Sequence, residues 1–146
     1  MANEMPAASE FTGLSRAVIA YSEAFTQLVG KAKAGTLGDA EWMEIEGLVN
    51  TSAFVREGVF LGPQAEVIDW ATYRSYVTQY GGHTDWEGTL RRITETPGRV
   101  ILELEERNTR GGVTHVANTV TIYEFDDAGK LQHLEVYVMP RGERPA

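Results

Sequence analysis

The segment 85–139 constrains the fold more than any other part of the sequence. Its apolar and polar residues tend to alternate, and short turns interrupt it at Pro97-Gly98, at Gly111-Gly112 and at 126–129. Alternation with a period of two predicts strands, and glycine-containing turns between strands predict hairpins. We therefore expect four long antiparallel strands, at residues 85–95, 99–108, 113–126 and 130–139.

The chain before residue 85 contains helical patterns. Apolar residues in the segment 14–29 recur every three or four positions, which predicts a helix that ends near Gly35. A second, shorter helix is expected over 39–49, with Asp39 at or near its N-cap. The spacing of these two amphipathic patterns predicts an antiparallel helical layer.

A strand and a third helix complete this part of the chain. The period changes to two after residue 50, so the segment 52–60 predicts a strand, which the Gly62-Pro63 turn breaks. Asp69 can cap the third helix, and Gly81-Gly82 is expected to end it. Helices followed by a run of hairpins predict an α+β fold with helices packed on one face of a curved sheet. Such an arrangement leaves a concave space, which is the usual place for a ligand.

The composition excludes several kinds of site. The chain of 146 residues has no cysteine, which excludes disulfides, thiolate zinc sites, iron–sulfur clusters and a cysteine nucleophile. Its 13 basic and 21 acidic residues give a net charge of −8, which argues against a nucleic-acid groove. No apolar stretch approaches the roughly 20 residues of a membrane span. No signal-peptide pattern is visible either, so a cytoplasmic location is expected.

The two ends of the sequence differ in character from the middle. Residues 1–10 are small, polar and proline-bearing, and residues 140–146 have a similar character. Such ends are typical of poorly ordered termini. We expect a disordered start over 1–10, a single domain over 11–139 and a flexible tail over 140–146.

Two stretches resemble a known superfamily. LVNTSAFVREG at 48–58 is similar to a helix-to-strand passage that leads to an acidic residue at a pocket. TVTIYEFDDAGKLQHLEVYV at 119–138 looks like a terminal hairpin with an aromatic residue before its turn. With this order of elements over about 12–139, the chain resembles the nuclear transport factor 2-like superfamily. Within it, the chain looks most like the SnoaL-like and ketosteroid-isomerase-like branches.

The resemblance implies a cystatin-like α+β fold, in which a cone-shaped antiparallel or mixed sheet wraps around helices and encloses a cavity. It also implies a homodimer through the outer sheet face, a small hydrophobic ligand and no cofactor. The superfamily includes isomerases, dehydratases, polyketide cyclases, epoxide hydrolases and binding domains, so the fold alone does not select a function. Two hypotheses follow: a proton-transfer enzyme for a carbonyl-containing cyclic compound, or a non-catalytic ligand-binding or dimerisation domain.

Alternation along the strands predicts which side chains face the cavity. On the strand 99–108 the inward set contains Val100, Leu102 and Leu104, and Glu106 continues it toward the rim. A β-bulge would reverse such an assignment. On the last two strands the family register implies the inward residues His115, Ala117, Thr119, Thr121, Tyr123, Leu134, Val136 and Val138.

Glu57 is the first candidate for chemistry. It falls where the isomerase-like members carry their proton-transferring carboxylate, so the resemblance implies that Glu57 is the base. Aromatic neighbours such as Phe54 and Phe60 would remove its hydration and raise its pKa toward a useful range. The alternative is a strand-end glutamate in solvent beside Arg56.

The three histidines are further candidates. His115 has inward parity in the middle of a strand and can act as an acid or a base near neutral pH, unless it is only a rim residue. His83 lies on a loop that could cover the pocket mouth, or it is an ordinary loop residue. His133 has outward parity. Their scattered positions predict no metal site, although a histidine–carboxylate site assembled by the fold stays open.

Aromatic side chains supply the expected walls of the cavity. An inward phenol can donate a hydrogen bond to a developing oxyanion, and Tyr21 and Tyr123 are the candidates for that role, together with Thr121. The alternative is that aromatic residues at helical spacing are core. A weakly polar aromatic cavity suits a flat hydrophobic ligand. The other aromatic residues expected to bind substrate are Trp42, Tyr73 and Trp86.

Two departures from the family patterns restrict the activity. Thr121 stands where the isomerases that this chain resembles carry a protonated aspartic acid, and a hydroxyl donates more weakly, which counts against steroid isomerisation. The epoxide-hydrolase members need an arginine and two aspartates around the cavity. The corresponding positions are Leu104, Glu106 and Val136, so that triad is absent.

Overall fold

A computed structural model of the chain describes residues 4–145, which form three α-helices and one six-stranded sheet. The helices are α1 (Gly13–Ala34), α2 (Asp39–Glu46) and α3 (Trp70–His83). The strands are β1 (Val55–Gly58), β2 (Glu66–Ile68), β3 (Asp85–Thr96), β4 (Arg99–Arg110), β5 (Val113–Phe125) and β6 (Leu131–Pro145). The predicted α+β fold is confirmed.

The sheet is mixed and open. Its strands lie in the order β2-β1-β6-β5-β4-β3, and every neighbouring pair is antiparallel except the parallel pair β1–β6. Register shifts interrupt the β5–β6 pairing between Val116 and Ala117 and between Glu124 and Phe125. A bulge bends its strand and increases the local twist, so these shifts help the sheet to curve around the helices.

The core lies between the helices and one face of the sheet. Val18 and Ile19 of α1 are fully buried, as are Val100 and Leu102 of β4. The backbone amide of Thr72 donates a 2.9 Å hydrogen bond to the Asp69 side chain, which is the predicted N-cap of α3. Alternating inward residues on β4 and the apolar faces of the helices thus form one continuous core.

Both ends of the described chain form backbone hydrogen bonds with the sheet. The backbone amide of Glu4 donates a 2.8 Å hydrogen bond to the carbonyl of Gly88, and Ala8–Glu10 form a 3₁₀ turn. Strand β6 continues to Pro145, which pairs with Val113. The long partner strand β5 provides unpaired backbone groups that the polar tail can bond, whatever its side chains. Residues 1–3 and 146 of the two expected segments lie outside the described residues.

Three elements differ in extent from their predictions. The strand expected over 52–60 contains only β1, because a turn precedes it and the chain leaves the sheet after Gly58. Helix α2 ends at Glu46 instead of residue 49, and Val49 forms an isolated bridge to Leu131. Strand β2 was not predicted, since its three residues are too short to show a period.

Among residues 4–145, no helix combines the length and the apolar character that crossing a membrane requires.

Candidate functional site

A cavity of about 490 Å³ lies between the helices and the inner face of β4, β5 and β6. This volume falls within the range of small-molecule sites. Most of its wall is apolar or aromatic, with Phe25 of α1 and Tyr73 of α3 on the helical side and Leu104 and Leu134 on the sheet side. A small number of polar and charged groups interrupt this wall, and they determine what the cavity can do.

Arg56 brings a positive charge to the buried part of the cavity. It lies in the middle of β1, faces the same side as Leu134 of the neighbouring strand and is only 7% exposed. Its guanidinium lies over the ring of Phe60, 4.6 Å from the ring centroid, and 5.8 Å from that of Tyr73. Among the described residues, no carboxylate lies within 4.0 Å of an Arg56 nitrogen.

The end of β1 holds this guanidinium in place. Arg56 Nη2 donates to the carbonyl of Val59 at 3.0 Å, and Nη1 donates to the carbonyl of Gly58 at 3.4 Å. Gly58 has a φ of +133° and passes so close to β6 that an added Cβ would lie 2.5 Å from the carbonyl oxygen of Val136. Glycine therefore permits the local path that directs these two carbonyls toward Arg56.

Glu106 is an acidic residue on the inner face of β4. Trp86 Nε1 donates a 2.5 Å hydrogen bond to Glu106 Oε1. Gly88 lies directly opposite Glu106 across the β3–β4 pair, and a Cβ there would lie only 2.6 Å from the Trp86 ring. The sequence Trp-Glu-Gly on β3 thus makes space for an indole that fixes one carboxylate oxygen. Oε2 of Glu106 has no hydrogen-bond partner among the described residues.

Buried tyrosine hydroxyls lie at the deep end of the cavity. Tyr21 donates a 3.0 Å hydrogen bond to the hydroxyl oxygen of Tyr73, and the rings of Tyr21 and Tyr123 meet edge to face. Burial raises the pKa of Tyr21 well above its usual value, and the neighbouring Tyr73 adds to the rise. Burial also raises the pKa of Tyr123, with further rises from Tyr73 and Glu106 that Arg56 opposes. The phenols therefore stay neutral donors at neutral pH.

Two threonines on β5 add hydroxyl groups to the wall. Thr119 is 4% exposed and its hydroxyl has no hydrogen-bond partner among residues 4–145, while Thr121 lines the same wall. A buried hydroxyl without a partner is costly, and a bound ligand can supply the missing hydrogen bond. Thr119 therefore marks a position where a polar ligand atom would be stabilised.

The cavity mouth is polar and exposed. His115 Nδ1 lies 3.1 Å from Glu143 Oε1, and the two side chains are 47% and 66% exposed. Tyr80 donates to the side-chain oxygen of Asn108, and Arg110 is exposed beside them. Burial raises the pKa of Tyr80, and the charge of Glu106 raises it further. Because its side chain is exposed, His115 is a rim residue, which is the alternative that the sequence left open.

Most of the residues proposed from the sequence meet in this cavity. The predicted inward faces of β4, β5 and β6 agree with the structure. The proposed site residues that line the cavity are Tyr21, Phe60, Tyr73, Trp86, Leu104, Glu106, His115, Thr121, Tyr123, Leu134, Val136 and Val138.

Three of the proposed substrate-binding residues do not line the cavity. Trp42 and Phe54 are buried in the core, where each ring packs edge to face against Trp70. His83 is the exposed last residue of α3 and not a lid over the mouth. The two aromatic residues lie behind the cavity wall because helix packing needs them there.

The prediction that Glu57 faces the cavity is wrong. Successive side chains of a strand point to opposite faces, so Arg56 points inward and Glu57 points outward. The Glu57 carboxylate is 41% exposed and lies 2.9 Å from His133 Nε2 on the outer sheet face. With Phe54 buried in the core, alternation within Phe54–Glu57 favours Arg56 as the inward residue.

Glu57, His133 and Glu135 form a cluster on the outer face of β1 and β6. The ligand atoms of these three side chains lie within 4.8 Å of one another. Histidine nitrogen and carboxylate oxygen are common zinc ligands, so this cluster is the group of described residues that could hold a metal ion. It is the kind of fold-assembled histidine–carboxylate arrangement that the spacing of the histidines left open, and it lies apart from the cavity.

The chain is similar to known proteins in its fold. No protein-family model and no curated protein sequence matches the chain. Among solved structures, the Delta 5-3-ketosteroid isomerase from Mycobacterium sp. is 18% identical, with a TM-score of 0.60 over 85% of this chain and 98% of that chain. An NTF2-like protein of unknown function from Burkholderia pseudomallei is 10% identical, with a TM-score of 0.66 over 88% and 92% of the two chains.

A SnoaL-like polyketide cyclase candidate from Shewanella denitrificans is also similar, at 10% identity and a TM-score of 0.65 over 86% of this chain and 90% of that chain. At such identities the likeness shows the fold and not the activity. The chain has the nuclear transport factor 2-like fold, as the resemblance predicted.

Proposed function

We propose that the protein is a cofactor-independent enzyme that transfers a proton on a hydrophobic, carbonyl-containing cyclic substrate, in a reaction of the isomerase, dehydratase or cyclase type. One observation carries the proposal. The same apolar cavity contains a carboxylate with a free oxygen, Glu106, and neutral phenol donors, Tyr21, Tyr73 and Tyr123. A base and oxyanion donors in one mostly apolar cavity suit proton abstraction beside a carbonyl.

Glu106 takes the role that the sequence had given to Glu57. The Trp86 indole fixes Oε1, so Oε2 is the atom that accepts a proton from the substrate carbon. The electron pair of that C–H bond moves onto the substrate carbonyl oxygen and forms an enolate. Return of the proton to another carbon completes an isomerisation. In a dehydration, the enolate electrons form a carbon–carbon double bond, and the hydroxyl group on the neighbouring carbon leaves as water with the proton that Glu106 holds.

The tyrosines provide donors for the enolate oxygen. The Tyr73 hydroxyl accepts from Tyr21, so its own proton is available to donate. A donor whose pKa stays above its usual value keeps its proton while negative charge develops beside it. Thr119 offers a second hydroxyl that no described residue satisfies.

The alternative function is ligand binding without turnover. The observation that favours it is the indole hydrogen bond at Glu106, because a carboxylate held in this way can also serve only to orient a ligand. Both functions use the same cavity, but only the enzyme removes a proton from carbon.

We also propose that the chain forms a homodimer through the outer sheet face. Tyr137 and Met139 on the outer side of β6 are each 53% exposed. Large apolar side chains that neighbour one another on a sheet surface are typical of an interaction site.

The experiment is hydrogen–deuterium exchange at carbon, followed by NMR in D₂O with neutral bicyclic ketones such as 2-tetralone. Because exchange reports proton removal alone, the physiological product need not be known. Exchange faster than the buffer rate, and saturable in ketone, is the expected result. Ketones that bind in the cavity but exchange at the buffer rate would instead favour the non-catalytic alternative.

A further inference from the structure

Arg56 differs from the other charged groups of the cavity in its depth. Arg110 and Glu143 lie at the exposed mouth, whereas Arg56 is buried against the aromatic wall. Taking a guanidinium out of water is costly unless charged or hydrogen-bonding partners replace the water. The hydrogen-bonding and charged partners of Arg56 therefore show whether the protein itself compensates for the lost hydration of the guanidinium.

The protein provides hydrogen-bond partners for only some of the N–H groups of this guanidinium. Two of its five N–H groups donate to the carbonyls of Gly58 and Val59, and its face lies over Phe60. The guanidinium also donates to the hydroxyl of Tyr73, and among the described residues neither of the two acidic side chains of the cavity, Glu106 and Glu143, forms an ion pair with it. A buried guanidinium at the wall of a cavity, with no carboxylate of the described chain in contact, can pair with an anionic group of a ligand.

We propose that the substrate carries a carboxylate on its ring system and that this carboxylate pairs with Arg56. This inference rests on the proposed function and names the class of its substrate: an aromatic or polycyclic keto acid. A carboxylate can accept two parallel hydrogen bonds from a guanidinium, which fixes direction as well as position. The ring then lies along the wall formed by Phe25, Phe60 and Tyr73, and the keto group reaches Glu106 and the phenols.

A matched pair of probes tests this class. The pair is 2-naphthoate and 2-naphthamide, which share a ring system and differ in charge. Their dissociation constants are measured by titration calorimetry at neutral pH. We expect the wild-type protein to bind the acid at least about tenfold more tightly than the amide. Equal affinities for the two compounds would overturn the proposal.

Four variants show which arginine causes the preference for the acid over the amide. Arg56→Gln should abolish it, whereas Arg92→Gln, which removes the same charge from a side chain paired with Glu103 on the outer face, should leave it unchanged. If Arg110→Gln abolishes the preference and Arg56→Gln retains it, the anion binds at the mouth and the proposal is wrong. Arg56→Lys keeps the charge without the planar fork. It should retain part of the preference, which keeps the test decisive if Arg56→Gln fails to fold.

The binding test of the keto-acid inference and the exchange test of the proposed function can fail independently, because the exchange test uses neutral ketones. Exchange of 2-tetralone without an acid preference would leave the enzyme proposal intact and remove the keto-acid inference. An acid preference without exchange of either neutral ketones or aromatic keto acids would support the anion site and reject the proton-transfer enzyme.

Discussion

Arg56 and Glu57 are neighbours in the chain, yet their side chains lie on opposite faces of the sheet. The Arg56 guanidinium lies in the cavity over Phe60, and the Glu57 carboxylate contacts His133 outside. Strand β1 thus presents a cation to the cavity and an anion to the outer surface. The base of the proposed reaction must come from another strand, and β4 supplies Glu106.

The inward face of β4 can be tested by its contribution to stability. Leu102 is 1% exposed, so Leu102→Ala should lower the free energy of unfolding by about 2–5 kcal/mol. Leu104→Ala, which removes a side chain that borders the cavity, should cost less. Val67→Ala is the control, because Val67 is 69% exposed and should change the value by less than about 0.5 kcal/mol. Urea denaturation measures all three, and an insensitive Leu102 would contradict the assigned face.

Asp126 makes stability depend on acid pH. The hydrogen bond from the backbone amide of Lys130 is the main cause of its lowered pKa, and Asn50 and Ala128 donate as well. In the unfolded chain the pKa of this carboxyl is about 3.9. Its contribution to stability is therefore full above that pH and is lost as the pH falls toward the lower pKa of the folded state.

Asp126→Asn should therefore lower stability at neutral pH and flatten its decline below about pH 4. The measurement is the urea midpoint as a function of pH. Asp127→Asn removes the same charge from the next residue, which makes no hydrogen bond to the described chain, and should keep the wild-type profile. An unchanged slope for Asp126→Asn would contradict the assigned hydrogen bonds.

The tyrosines make stability depend on alkaline pH. Burial is the main cause of the raised pKa of Tyr21, Tyr73, Tyr80 and Tyr123. Their contribution to stability is full below the unfolded pKa of about 10 and is lost as the pH rises above it. At about pH 10.5 the folded protein should show much less tyrosinate absorbance than the urea-unfolded chain. Equal absorbance would mean that the tyrosine hydroxyls are exposed to solvent in the folded protein.

The proposed dimer has a direct test in solution. Placing carboxylates on the outer face of β6, with Tyr137→Glu and Met139→Glu together, should convert a dimer to a monomer, because like charges would face each other across the interface. Light scattering after gel filtration measures the mass. Val67→Glu is the control on the edge strand β2. A wild-type protein that runs as a monomer would contradict the dimer.

Local patterns were sufficient to predict much of this fold. The meander follows from period-two alternation and glycine turns, and the Asp69 cap follows from the chemistry of helix N-termini. The same alternation placed Leu104, Glu106 and Tyr123 in the cavity wall, since a strand with one buried face specifies its register strongly.

The parts that sequence reasoning missed depend on contacts between distant segments. Strand β2 and the tail 140–145 are strands only because β1 and β5 offer them partners. The anion site depends on Arg56 lying against Phe60, and the fixed carboxylate depends on an indole from the neighbouring strand. The one local signal that was available, the alternation of Phe54, Arg56 and Glu57, pointed to the arginine.

Two glutamates compared in the same exchange assay test directly which carboxylate is the base. Glu106→Gln should slow enzyme-dependent deuterium exchange of 2-tetralone by at least about 100-fold, since it removes the proton acceptor. Glu57→Gln removes an identical carboxylate from the outer face and should exchange at the wild-type rate. An unaltered rate in a folded Glu106→Gln protein, or a loss confined to Glu57→Gln, would contradict the claim that the cavity carboxylate is the base.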